Sequence, residues 1–206
     1  MRWLLAVLPF ALLCGFGCGN SSPKSPSVPS YDPDAMAAAA LKDHDKNSNG
    51  SIEGSELDAV PALKSSLTQI DKNGDKKLSS DELKARFEAY KSLGAGAVAI
   101  GVDVSLNGEP LQGAIVTFTP EACMLGTVKP ATGTTSDIGS ISDFKLDGSS
   151  YPGLPCGLYK ITVSKKDESG KETLQEKYVS GTALGGEFFE GGRGSSSTII
   201  LKLTSK

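Results

Sequence analysis

Asp45-Lys46-Asn47-Ser48-Asn49-Gly50-Ser51-Ile52-Glu53-Gly54-Ser55-Glu56 decides how the first half of the folded chain is read. Asp71-Lys72-Asn73-Gly74-Asp75-Lys76-Lys77-Leu78-Ser79-Ser80-Asp81-Glu82 repeats its pattern 26 residues later. In the first stretch Asp45, Asn47, Asn49, Glu53 and Glu56 stand at places one, three, five, nine and twelve. Ser51 offers its carbonyl at the seventh. In the second stretch the same places hold Asp71, Asn73, Asp75, Ser79 and Glu82, with the Lys77 carbonyl at the seventh. Alternating ligand and spacer turns successive oxygens inward, and a hard cation such as Ca²⁺ takes six to eight of them. Gly50 fills the sixth place, where the backbone turns sharply and a positive φ is cheap. Lys76 fills it in the repeat, at a cost of about 1 kcal/mol for a left-handed non-glycine residue. The pattern predicts up to two Ca²⁺ ions, with the second loop the weaker or more variable. Asn in three inner places predicts affinities of about 10⁻⁵ to 10⁻³ M, suited to a structural ion. Magnesium needs a stiffer octahedron and fits less well.

The flanks read as helices. Asp32 is a suitable N-cap and Pro33 a suitable first helical residue. The Ala-rich run 35–42 follows. Pro61 breaks the chain after a short exit turn at 57–60, and 62–70 is expected to enter the second loop. Residues 81–91 leave it, with Leu83 and Phe87 four apart on one face. Two ordered twelve-residue matches between helices resemble the compact tandem EF-hands of secreted bacterial proteins. The resemblance implies that the loops meet through Ile52 and Leu78 on a short two-stranded contact.

Composition narrows the function. There are 21 Lys plus Arg against 24 Asp plus Glu, a net charge of −3, so a nucleic-acid partner is not expected. The single His, His44, rules out a multi-histidine zinc site, and a Ser-His-Asp triad unless His44 is its base. His44 reads either as a pH sensor or, more simply, as an exposed helix-end residue beside the first ligand. No Gly-rich phosphate loop, nucleophile elbow or activated Cys is present, so no catalytic residue is named and an enzyme is not expected.

Residues 1–17 read as an address. Arg2 precedes an apolar run that is too short to span a membrane and carries Pro9 in its middle. Gly15-Phe16-Gly17-Cys18 resembles a bacterial lipoprotein box, although Gly15 stands where that family prefers Leu. The resemblance implies an acylated Cys18 and a lipid-bilayer partner without a spanning helix. An ordinary cleaved signal is the alternative. Residues 18–31 are rich in Ser and Pro and read as an extended tether. The organisation expected is therefore signal 1–17, tether 18–31, paired loops 32–91, linker 92–97 and a β domain 98–206.

In the last region the period changes. Val98, Ile100, Val102, Val104 and Leu106 alternate, and Asn107-Gly108 is a hairpin signal. Further strands are expected at 114–119, 133–136, 140–146, 157–164 and 197–204. The fold class expected is multidomain, a small all-α unit followed by an all-β antiparallel sandwich. Asn107-Gly-Glu-Pro110-Leu-Gln-Gly-Ala114, Asp137-Ile-Gly139 and Pro155-Cys-Gly157-Leu-Tyr159 resemble the carboxypeptidase regulatory-like, or transthyretin-like, domain. That resemblance implies a packing, adhesion or ligand-display module without peptidase chemistry. Phe188-Phe189 is expected to cover a sheet edge or to form an exposed contact. Cys123 and Cys156 in an exported domain are expected to pair, contributing about 3–4 kcal/mol by loop closure. They do not form a Cys-x-x-Cys redox motif.

Together these readings predict an exported bacterial lipoprotein facing the periplasm or cell surface. Calcium would order its helical unit, and the β domain would meet an envelope protein or polysaccharide. An adhesion or carbohydrate-binding module with incidental calcium is the alternative.

Overall fold

Asp32 starts the first helix as its chemistry requires. Its Oδ1 accepts the N–H of Ala35 at 3.2 Å, and Pro33 takes the first helical place of α1 (Pro33–His44). The computed structural model describes residues 26–180, 184–189 and 198–205. The signal 1–17 and Cys18 lie outside the described residues. Among those described, no helix is long and apolar enough to cross a membrane.

After α1 the chain runs through β1 (Ser51–Glu53), α2 (Ser55–Asp58), α3 (Pro61–Ser65), α4 (Leu67–Ile70), β2 (Lys77–Ser79) and α5 (Ser80–Leu93). The helix expected over 62–70 is interrupted. Ser66 leaves helical geometry (φ −101°, ψ 4°), while the Ser65 and Ser66 hydroxyls both donate to the Ala62 carbonyl. Such back-bonding competes with the helical ladder. Pro61 opens α3 rather than only ending what precedes it. Strands β1 and β2 pair antiparallel with Ile52 opposite Leu78, both fully buried.

The β region holds two sheets. One is six-stranded and antiparallel, in the order β11 (Leu184–Phe188), β10 (Gly157–Ser164), β5 (Ile115–Pro120), β6 (Ala131–Thr134), β8 (Phe144–Leu146) and β9 (Ser149–Tyr151). The other joins β3 (Gly101–Leu106) to β12 (Thr198–Leu203), β4 (Glu109–Pro110) and β7 (Ser140–Ile141). A four-residue helix α6 (Glu176–Val179) follows β10. Asn107 and Gly108 both adopt positive φ between β3 and β4, as the hairpin signal requires. Two expectations are corrected. Strand β12 lies parallel to β3, so the region is not wholly antiparallel; the long intervening chain supplies the crossover that parallel pairing needs. The strand expected over 140–146 is split, because Ile141 pairs in the small sheet and Phe144 in the large one. The chain changes sheets between them.

Alternation puts Val102, Val104, Leu201 and Leu203 from one sheet into the same buried cluster as Val116, Phe118, Phe144 and Ile161 from the other. The ring of Phe188 meets Phe118, Phe144 and Tyr159 edge-on, with centroids 5.4–5.7 Å apart. Neither sequence reading of Phe188-Phe189 holds. Phe188 is inside the sheet core, and Phe189 covers Tyr90 and Arg86 of α5.

The helices share this core. Gly185 on β11 approaches α3 so closely that a Cβ there would sit 2.3 Å from the Ala62 nitrogen. Only glycine fits. Tyr31, at the end of the tether, is buried and donates its hydroxyl to the Cys156 carbonyl at 2.7 Å. Residues 92–97 are not an open linker. Helix α5 continues to Leu93, Gly94 closes it at φ 60°, and Val98 bridges to Leu154.

Candidate metal centre

Each loop is held open by its own side-chain oxygens, and the two loops do this with matching residues 26 positions apart. Asp45 Oδ2 accepts the N–H of Gly50 at 2.8 Å, as Asp71 Oδ2 accepts that of Lys76 at 2.8 Å. Asn47 Oδ1 accepts from Asn49 N, as Asn73 Oδ1 accepts from Asp75 N, both at 2.9 Å. Asn49 Oδ1 accepts from Ser51 N and Asp75 Oδ1 from Lys77 N, at 3.0 and 2.9 Å. These short-range bonds are why Asp and Asn recur at odd places: those at places three and five fix the turn two residues on, and Asp at place one reaches five residues on.

The closing glutamates act alike. Glu56 Oε1 accepts the N–H groups of Lys46 and Asn47, and its Oε2 accepts that of Glu53. Glu82 accepts from Lys72, Asn73 and Ser79 in the same manner. Ser79 and Glu82 also form a reciprocal capping box at the start of α5. Burial alone would raise the Glu82 pKa; the N–H donors and the Ser79 hydroxyl outweigh it and hold the carboxyl below its ordinary value.

Backbone geometry explains the glycine placement. Places four and six are left-handed in both loops: Ser48 (φ 58°) and Gly50 (φ 84°) in the first, Gly74 (φ 77°) and Lys76 (φ 64°) in the second. At these two places each loop has one glycine and one strained residue, in opposite order. Lys76 is strained as the sequence implies. Sequence reasoning missed place four, where the signal was Gly74 itself.

At place nine the loops differ. Glu53 Oε2 is 2.5 Å from the Lys77 ammonium, and its Oε1 accepts from Asn49 Nδ2 at 2.7 Å. Lys77 lies opposite Glu53 across the β1–β2 ribbon, so the register makes the contact. The hydrogen bond from Lys77 holds the Glu53 pKa below the usual carboxylate range. Ser79 has no such cation.

The donor sets are all oxygen, and they mix carboxylates with amides and backbone carbonyls. Among the described residues no three His, Cys, Asp or Glu side chains form a metal cluster. Asn47, Asn49 and Asn73 take inner places that a carboxylate cluster would need. The turns of both loops are set by their own side-chain oxygens, which are hard donors.

His44 ends α1 beside the first loop. It is half-buried, not exposed, and its Nε2 is buried without a hydrogen-bond partner. Burial lowers its pKa. The structure has Cys123 and Cys156 as free thiols, without the expected disulfide. Cys123 sits in a one-turn helix (Ala122–Met124) packed on α1, and Cys156 lies just before β10, against Tyr31. Cys123 lies by α1 and Cys156 by the end of the tether, and burial pushes both thiols up to about 12.

No family model matches this chain. No curated protein matches it either. Among solved structures, the crystal structure of BcpA, the major pilin subunit of Bacillus cereus, is similar at 16% identity and TM-score 0.30, over 51% of this chain and 29% of that one. A variant of the same pilin is similar at 15% identity and TM-score 0.28, over 52% and 30%. The chain spans about three-tenths of the length of these pilin chains.

Proposed function

We propose that this is an exported, lipid-anchored, calcium-binding envelope protein whose two loops are an EF-hand pair and whose β region is a non-catalytic interaction module of transthyretin-like kind. One observation carries the metal reading. The same frame of inward side-chain oxygens and backbone N–H donors recurs residue for residue in two loops 26 positions apart. In the first loop Asp45, Asn47, Asn49, the Ser51 carbonyl, Glu53 and Glu56 would hold the ion. In the second, Asp71, Asn73, Asp75, the Lys77 carbonyl, Ser79 and Glu82 would do so. The bound cation supplies charge that lets several oxygens gather without mutual repulsion. The chain's own contribution is to fix the turns before the ion arrives. Anchoring rests on Cys18 and the box before it, and the tether ends against the β region at Tyr31.

Calorimetric titration of the processed full-length chain with CaCl₂ should show two sites, with Glu56→Gln and Glu82→Gln each removing one. No heat, and no stabilisation by calcium, would sink the metal reading. Cys18→Ser should move the protein from the membrane to the soluble fraction; an unchanged distribution would sink the anchor.

A second reading has a specific observation behind it. A groove on the β region is lined by Thr132, Thr134, Ser140, Ser142, Asp143 and Lys145, a hydroxyl-rich surface suited to polysaccharide. Binding on a glycan array that is unchanged by chelator would favour adhesion with incidental calcium.

A further inference from the structure

The two loops are alike except where Lys77 meets Glu53. That difference has a consequence for how the sites fill, on the reading that the loops take calcium. Glu53 is the only carboxylate at place nine, and neither of its oxygens is free. One rests on the Lys77 ammonium at 2.5 Å and the other on the Asn49 amide at 2.7 Å. The second loop has Ser79 at this place, whose hydroxyl is turned to Glu82 Oε2 at 2.7 Å. Lys77 also stands in both sites at once, giving its carbonyl to the second loop and its side chain to the first.

We propose that Lys77 is an internal cation that competes with calcium for the first loop, so that the two sites are unequal and the second fills first. An ion entering the first loop must draw Glu53 away from an ammonium already in place. It also enters a loop with one net positive neighbour across the ribbon. The second loop has Asp71, Asp75 and Glu82 as side-chain carboxylates and no cation bonded to its ninth-place residue. Lys76 already holds its left-handed conformation, at φ 64°. This order runs opposite to the sequence expectation that the second loop is the weaker.

The test uses the processed full-length chain carrying Glu82→Gln, which leaves the first loop as the measurable site, titrated with CaCl₂ by calorimetry. Lys77→Met should tighten that site by about three- to fivefold, the scale of one partly exposed ion pair. Lys76→Met is the control. It removes the same charge from the same cleft without touching Glu53, and should change the affinity by less than about twofold. A second measure needs no metal. In the calcium-free chain without Glu82→Gln, the Glu53 carboxyl carbon followed by NMR should titrate at higher pH in Lys77→Met than in the parent, and unchanged in Lys76→Met. Equal gains from the two lysine variants would overturn the competition and leave calcium binding intact. Binding that appears only with Lys77→Met would support it in its strongest form. No binding in any variant would overturn the inference together with the calcium reading.

Discussion

Arg86 on α5 and Glu187 on β11 form a two-pronged ion pair, with Nε to Oε1 at 2.5 Å and a second guanidinium nitrogen to Oε2 at 2.6 Å. Their side chains are only 9% and 7% exposed. Tyr90, one turn beyond Arg86, donates its hydroxyl to the same carboxylate, and Phe189 lies 4.3 Å from the guanidinium carbon. Glu82, Arg86 and Tyr90 follow one another at helical spacing, so one face of α5 runs from the second loop to the sheet.

Removing one partner of a buried pair strands the other. Glu187→Ala should cost about 3–5 kcal/mol of unfolding free energy, read from denaturant melts. Replacing Arg86 with Met and Glu187 with Leu together should cost much less. A small loss from Glu187→Ala would show that the pair is solvated and does not join helix to sheet.

The glycine pattern of the loops predicts the sign of four substitutions. Ser48→Gly and Lys76→Gly should each stabilise by about 0.5–1 kcal/mol, because both residues hold a positive φ. Gly50→Ala and Gly74→Ala should each destabilise by about 1 kcal/mol, although a Cβ at either place meets no atom within 4 Å. Calcium-free thermal melts separate this backbone effect from binding.

Two carboxyls should respond to pH in opposite senses. Burial raises the Glu172 pKa, but the Ser164 hydroxyl and the N–H groups of Leu174, Lys165 and Thr173 more than reverse it, leaving it below 4.5. Its stabilisation is present above about pH 4.5 and is lost as pH falls through the lowered value. Glu121 is raised by burial, against the attraction of Lys160, and its Oε1 has no partner. Its neutral form suits the fold, so stability is lost as pH rises through that raised value. Glu172→Gln should therefore weaken the protein at pH 7, and Glu121→Gln should strengthen it. Both differences should shrink below pH 4, measured by denaturant midpoints across pH 3–8.

The free thiols give a chemical test. With both pushed up to about 12 and buried, Cys123 and Cys156 should react with an aromatic disulfide reagent at pH 8 only after unfolding. Rapid labelling of the native chain would mean that one of them is exposed. A mass lower by two hydrogens after export would mean that they pair.

The loops were legible because their turn chemistry is local. Asp45, Asn49 and Gly50 act within five residues of one another, and so do their counterparts. Strand β10 was legible for a similar reason, with bounds at Gly157 and Ser164 as read from the sequence. What escaped the sequence depends on distant partners. Nothing near Gly185 announces the backbone of Ala62, and β11, with its Leu-Gly-Gly start, lacks the alternation that marks a strand. The split at 140–146 and the fate of Phe188 arise from which sheet each residue reaches. Lys77 read only as a backbone carbonyl; its side-chain contact follows from ribbon register, which spacing along one loop does not reveal.

The parallel seating of β12 on β3 sets an order of events in time. Register partners Gly101 and Thr198 stand about a hundred residues apart in the chain. The smaller sheet therefore stays incomplete until nearly all of the β region is available to fold. Until then the backbone groups of β3 that face β12 stay unpaired, on the edge opposite the one where Val104 bonds Gly139 and Leu111, a vulnerability that lasts until the last strand arrives.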